Sequence, residues 1–128
     1  MANRKRLGSI LGACSALGFV LTAGLHATGY RSVTDLARQG PEDLRTLVPA
    51  LWVSFSTDLV VTGLIVLVVV WRRSTASSLV LTIAGFIPAI AAGLQIAYLG
   101  FIPPTAILIA LALVTWAAAM VLPAVPDR

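Results

Sequence analysis

Asp58 is the residue whose type and position point most directly to chemistry. It lies inside an apolar run from about Ala50 to Trp71, about eight residues or ~12 Å along a helix from the start of that run. A carboxylate in the hydrocarbon of a membrane costs several kcal/mol unless it is paired, hydrated or neutral, so the default interpretation is functional. The structural alternative is a neutral carboxylic acid that hydrogen-bonds a neighbouring helix.

His26 is the second candidate catalytic residue, because a His–Asp pair can shuttle a proton. It lies near the end of the first apolar run. In an antiparallel helix pair its depth would be within about one to two turns of Asp58. Such a pair could open an epoxide, isomerise a double bond or bind a cationic amphiphile. The alternative is an interfacial histidine that hydrogen-bonds a carbonyl group or lipid headgroups.

Other polar and aromatic residues accompany this pair toward the same side of the membrane. Ser54 and Thr62 lie four residues on either side of Asp58 and share its helix face. The predicted ligand-binding residues are Gln95, Ser54, Tyr30, Tyr98 and Trp52. This distribution predicts a cavity that opens from the outer leaflet, with Asp58 at its floor, and argues against a continuous pore.

The same inventory predicts no metal site and no cofactor. The chain has one histidine and one cysteine, Cys14, which lies far from His26 along its helix. With Asp58 these residues do not make a zinc ligand set, and a single histidine excludes bis-histidine haem ligation. The sequence contains no Gly-rich phosphate loop and no serine nucleophile motif.

Membrane helices must position these residues. The 128 residues are 59% hydrophobic and only 11% charged, which is too little charge to cover the large relative surface of a small soluble domain. A spanning helix needs about 20 mostly apolar residues. The sequence predicts one all-α domain over residues 1–128, an integral membrane four-helix bundle with spans at about 7–28, 50–71, 78–99 and 104–122.

The only long polar segment is the loop at 30–48, for which we predict two short interfacial helices. Ser32 and Asp35 resemble a capping arrangement that starts the first helix, and Pro41 is typical of the start of the second. Apolar residues at helical spacing, Leu36, Leu44 and Leu47, predict that the loop packs on the outer mouth of the bundle.

The basic residues flank the predicted spans, although the net charge of +4 could suggest nucleic acid. Arg4, Lys5 and Arg6 precede the first span, and Arg72 and Arg73 close the second. Residues in such places orient membrane proteins and contact anionic headgroups, so we expect no nucleic-acid partner.

The first span is expected to be retained as a membrane helix. A basic cluster followed by an apolar stretch resembles a secretory signal, but the apolar run continues to Leu25, and signal peptides end in polar sequence. Two small-residue stripes, Gly8/Gly12/Ala16 and Gly85/Ala89/Gly93, favour close helix packing, within the bundle or in a homodimer.

Three functions remain open from the sequence. One is binding of, or acid–base catalysis on, a lipophilic small molecule at Asp58, His26 and Gln95. The others are an accessory subunit of a larger membrane complex and a proton-coupled exporter of amphiphiles. In length and helix number the chain resembles small multidrug transporters and four-helix proteins of the DoxX type. The transporters carry an essential carboxylate in their first helix, which is absent here, so the resemblance implies architecture only.

The sequence also predicts the orientation in the cell membrane. Six Lys and Arg residues lie in the N-terminal segment, the second loop and the tail at Arg128, against three in the first loop. This places both termini in the cytoplasm. With Cys14 replaced by Ser, we expect Gln39→Cys to react with an impermeant thiol reagent in intact cells and Ser74→Cys to react only after permeabilisation. Labelling of position 39 only after permeabilisation would overturn the orientation.

Overall fold

The computed structural model describes residues 2–122 and contains five α-helices. They are α1 (Ala2–Thr28), α2 (Tyr30–Arg38), α3 (Glu42–Arg72), α4 (Ser77–Leu99) and α5 (Pro103–Val121). The segments built on α1, α3, α4 and α5 are long and apolar enough to cross a membrane, and no strand occurs between residues 2 and 122. The predicted all-α four-helix membrane bundle is confirmed. Pro123, expected to end the last span, and Arg128 lie outside the described residues.

The spanning helices contact one another in the order α3, α1, α5, α4. The α1–α3, α4–α5 and α1–α5 contacts are extensive, whereas α3 and α4 share only a small one. Phe19, Leu59, Leu81 and Leu108 are buried at the centre. We name the end at which α1 and α4 finish and α5 begins the Trp52 end. The opposite end, at which α3 finishes and α4 begins, is the Arg73 end.

Helix α3 is longer than the sequence predicted. Its 31 residues extend ~46 Å at 1.5 Å per residue, against a hydrocarbon thickness of about 30 Å. The boundary predicted at Pro49 does not exist, and the second short helix of the 30–48 loop continues directly into the span. Proline at this position removes one backbone hydrogen bond. The loss falls near the charged first turns, with Glu42 and Asp43, where water can compensate.

Helix α2 is the other helix predicted for the loop, and it packs against α3. Only residues 39–41 separate the two helices, so α2 runs back along the first turns of α3. Ala37 is buried in this contact, while Leu36 of the predicted apolar underside is 70% exposed. The packed surface of α2 is therefore displaced from the one that the sequence suggested.

Hydrogen bonds between side chains join the helices inside the bundle. Ser15 Oγ of α1 and Thr115 Oγ1 of α5 lie 2.6 Å apart and are fully buried. Ser78 Oγ of α4 donates to the Ala119 carbonyl oxygen of α5 over 2.9 Å. Every buried side-chain nitrogen or oxygen in the described part of the chain has a partner. Such bonds matter because apolar contact gives helices little advantage over contact with lipid tails.

The first small-residue stripe brings α1 close to α3 and α5. A Cβ atom on Gly12 would overlap Val70 of α3, and Gly8 lies against the last turn of α5. From the other side, a Cβ atom on Gly63 would lie 3.0 Å from the Ala16 carbonyl oxygen. This stripe serves the bundle, which is one of the two roles left open by the sequence.

The second stripe divides between the interior and the surface of α4. Gly85 lies under the indole of Trp116, which donates from Nε1 to the Thr82 carbonyl oxygen over 3.0 Å. A Cβ atom on Gly85 would overlap that ring, whereas one on Gly93 would meet no atom within 4 Å. Only Gly85 is therefore required for helix packing.

These two glycines form a matched pair for a stability test. Alanine favours an α-helix over glycine by roughly 0.5–1 kcal/mol, so Gly93→Ala should leave thermal stability unchanged or raised. Gly85→Ala should lower the free energy of unfolding by about 1–3 kcal/mol, because the Trp116 indole must move. Thermal unfolding in detergent, followed by near-ultraviolet circular dichroism, measures both. Equal stability of the two variants would contradict the packing of Trp116 on Gly85.

Candidate functional site

A cavity of about 270 Å³ lies at the Trp52 end of the bundle, where side chains of α1, α3, α4 and α5 meet. Its volume is near the lower end of the range for ligand pockets, about 300–1,000 Å³. Its walls are mostly apolar, from residues such as Leu25, Phe55, Ile107 and Leu108. Polar groups are few, which makes each of them informative about what the cavity can hold.

His26 is held by aromatic rings at the end of α1. Its imidazole stacks on the Trp52 indole with ring centroids 3.9 Å apart and 17° between the planes. The Phe55 ring meets it edge-on at 4.9 Å. Trp52 Nε1 donates to the His26 carbonyl oxygen over 2.8 Å. A Cβ atom on Gly29 would lie 2.8 Å from the Trp52 ring, so glycine allows the indole to cover the end of α1.

The hydrogen bonds around Ser56 favour one tautomer of His26. Nδ1 lies 2.9 Å from Ser56 Oγ, and Ser56 Oγ donates to the Trp52 carbonyl oxygen over 3.1 Å. With the single proton of the serine hydroxyl directed at the Trp52 carbonyl oxygen, Nδ1 is the donor to Ser56. Nε2 of the neutral imidazole is then an acceptor, and no residue between 2 and 122 hydrogen-bonds to it.

Gln95 contributes a hydrogen-bond donor from α4. Thr105 Oγ1 of α5 donates to Gln95 Oε1 over 2.9 Å, which fixes the orientation of the amide. The amide nitrogen makes no hydrogen bond to another described residue. Thr22 and Thr28 also line the cavity, and their hydroxyls donate to carbonyl oxygens of their own helix. His26 adds an acceptor and Gln95 adds a donor.

The structure brings together three of the residues selected from the sequence: His26, Trp52 and Gln95 all line the cavity. Asp58 is exposed on α3 and does not line it. The expected His26–Asp58 pair is not formed, because Ser56 faces α1 instead. Residues two apart on a helix are separated by about 200° around the axis. Asp58 is thus not the floor of the cavity.

The remaining predicted ligand-binding residues also lie away from the cavity. Ser54 is exposed on α3. Tyr30 begins α2 and is 39% exposed, and Tyr98, in the last turns of α4, is 82% exposed. Exposed tyrosines near the ends of spans fit the aromatic belts at membrane surfaces.

Sequence reasoning missed Phe55, Ser56 and Thr105. With Trp52, the first two follow the i, i+3, i+4 spacing of one helix face, and that face is the inner face of α3. The prediction followed the polar stripe through Asp58 instead. Thr105 had a separate signal, because it follows the proline pair that starts α5, where its hydroxyl can turn back toward α4.

The arrangement can supply hydrogen bonds and apolar contact. His26 is the single titratable residue among the described residues that line the cavity. No group of three or more His, Cys, Asp or Glu side chains converges within residues 2–122. No family model, curated protein or solved structure matches the chain. Function must therefore follow from the geometry of the site.

Ser56 and Ser54 provide a paired test of this geometry. Ser56→Ala removes the acceptor for His26 Nδ1 and should lower the free energy of unfolding by about 0.6–2 kcal/mol, the range for hydrogen bonds between membrane helices. Ser54→Ala, on the exposed face, should change it by less than about 0.5 kcal/mol. Thermal unfolding in the same detergent compares them, and a Ser56→Ala variant as stable as the wild type would contradict the Ser56–His26 bond.

Proposed function

We propose that this protein is a membrane binding protein for a neutral lipophilic molecule with one small polar head, such as a hydroxyl group. The observation that carries the proposal is the cavity at the Trp52 end, which combines an apolar lining with the acceptor on His26 and the donor on Gln95. A hydroxyl group both donates and accepts, so it matches these two groups in chemical type.

The lining favours an uncharged head. Among the described residues that line the cavity there is no Asp, Glu, Lys or Arg. A charged head group would lose its hydration on entry without gaining an opposite charge, which is costly in an apolar site. The volume of about 270 Å³ fits a head group with the first carbons of its chain, or one small ring system.

The same lining favours binding over catalysis. The proton shuttle expected from the sequence needs His26 beside Asp58, and Asp58 lies on the outside of α3. A proton-coupled exporter of cations would need a carboxylate where its substrate binds. Binding of a hydroxyl group uses the acceptor on His26 and the donor on Gln95.

We also propose that the Trp52 end faces outward, with both termini in the cytoplasm. The support is the excess of Lys and Arg in the N-terminal segment, the second loop and the C-terminal tail of the sequence over the first loop, six against three. The ligand would then enter from the outer leaflet or from the outer membrane surface. Helix α2 and the charged first turns of α3 would lie on the outer side of the cavity.

Brominated probes can test the proposal, because bromine quenches tryptophan fluorescence on contact and Trp52 lines the cavity. We expect 6-bromohexanol to quench the detergent-solubilised protein saturably, and at least about tenfold more tightly than 6-bromohexanoate or 6-bromohexylammonium. Trp52→Phe should abolish the saturable component, which assigns the signal to Trp52 among the three tryptophans. Absence of saturable quenching by the alcohol, or equal affinity for all three probes, would contradict the proposal.

Two variants test the polar contacts. His26→Phe retains an aromatic ring beside Trp52 but removes the acceptor, and Gln95→Leu removes the donor. Each should weaken binding of the alcohol about threefold to tenfold, as expected for the loss of one hydrogen bond of ~0.5–1.5 kcal/mol. Ser54→Ala is the matched surface control and should bind the alcohol like the wild type. Unchanged affinity in both cavity variants would contradict recognition of the hydroxyl head.

A further inference from the structure

Asp58 is the one charged residue in the apolar stretches 7–30, 46–71 and 74–122, and the bundle does not use it. Its side chain is exposed on α3 and forms no hydrogen bond or ion pair with another described residue. The hydrogen bond between Asp58 and Thr62 uses only the backbone carbonyl oxygen of Asp58, which accepts from Thr62 Oγ1 over 2.7 Å. A carboxylate at this depth is costly unless it is paired, hydrated or neutral, and no described residue pairs with it.

The surface around Asp58 has the pattern of a helix interface. Residues alternately three and four positions apart form a continuous line along α3, and all of them are exposed: Leu51, Ser54, Asp58, Val61, Ile65 and Val68. This is the heptad spacing by which two helices pack along their length. A single polar residue in such a line fixes the register of the pair. We refer to these residues as the Asp58 seam.

We propose that the Asp58 seam binds a membrane helix of another protein that carries a Lys or Arg residue at the depth of Asp58. Charge complementarity identifies the partner, because ionisable residues within membranes pair with one another. The apolar residues of the seam provide the packing surface, and the ion pair sets the register. This site is separate from the cavity, which α3 lines with Trp52 and Phe55.

A second copy of this chain lacks the required group. The apolar stretches of the chain contain no Lys or Arg, so a symmetric α3–α3 contact would place one Asp58 near the other or against apolar residues. Lipid headgroups are also poorly placed, since Asp58 lies ~12 Å along the helix from the start of the predicted span. A cationic side chain on a neighbouring helix can lie at the depth of Asp58 and carries the opposite charge.

Energy transfer in phosphatidylcholine vesicles can test this pairing. The donor dye would be attached to Gln39→Cys in a Cys14→Ser background, and the acceptor to a 22-residue Leu-rich spanning peptide with one central Lys. A peptide with Leu at that position is the control. We expect the wild-type surface to bind the Lys peptide at least about tenfold more tightly than the Leu peptide.

Three variants distinguish pairing from a general effect on the fold. Asp58→Asn is nearly isosteric and should reduce the preference for Lys to about twofold or less, because Asn cannot ionise. Thr57→Val changes an exposed neighbour outside the seam and should keep the full preference. Asp58→Lys should lose affinity for the Lys peptide and gain it for a peptide with Asp at the centre, which excludes misfolding as the cause.

Equal binding of the Lys and Leu peptides by the wild-type surface would overturn the proposal, as would a full preference for Lys in Asp58→Asn. Energy transfer between two wild-type copies that Asp58→Asn abolishes would also overturn it, by assigning the seam to self-association. None of these results depends on ligand binding at the cavity, so the two proposals can fail separately.

Discussion

Lipid tails are as apolar as the side chains of a spanning helix, so hydrophobic contact alone gives these helices little reason to associate. The bundle therefore depends on two other interactions, close packing at small residues and hydrogen bonds between helices. The buried contact between Ser15 and Thr115 joins α1 to α5 at the centre, and Gly63 lets α3 approach α1 closely. At the Arg73 end, Arg73 donates a hydrogen bond to Ser9 and ties α3 to α1. The Ser15–Thr115 contact also satisfies two polar groups that would otherwise face hydrocarbon.

At the Trp52 end, the hydrogen bonds that hold the helices together also place polar atoms beside the cavity. His26 binds Ser56 to hold α1 against α3, and Gln95 binds Thr105 to hold α4 against α5. Each of these side chains has two polar atoms and uses one of them for the structure. The second atom stays free beside the cavity, where a ligand can meet it. Under the proposed function, stability and recognition depend on the same side chains, and a change at Ser56 should affect both.

The side chain of Asp58 takes part in none of these contacts among the described residues. The polar groups inside the bundle have hydrogen-bond partners without this carboxylate. Asp58 lies on the surface of α3, among apolar residues at heptad spacing. The two faces of α3 therefore carry different polar groups. The inner face carries Trp52, which lines the cavity, and Ser56, which binds His26, and the outer face carries Asp58. The two proposals assign a small molecule to the cavity and a neighbouring helix to the outer face.

The sequence by itself determined the number of spanning helices, the approximate ends of α4 and α5, and the membrane setting, because these depend on the length and composition of apolar runs. Three of the residues that it selected, His26, Trp52 and Gln95, line the cavity. It did not determine which way Asp58 faces or that α3 passes through Pro49. In a membrane protein, apolar residues cover the lipid face and the interior alike, so the hydrophobic pattern of α3 does not distinguish them. Only the packed structure decided that Ser56, and not Asp58, meets His26, because a rotation of about 200° separates the two side chains on the helix.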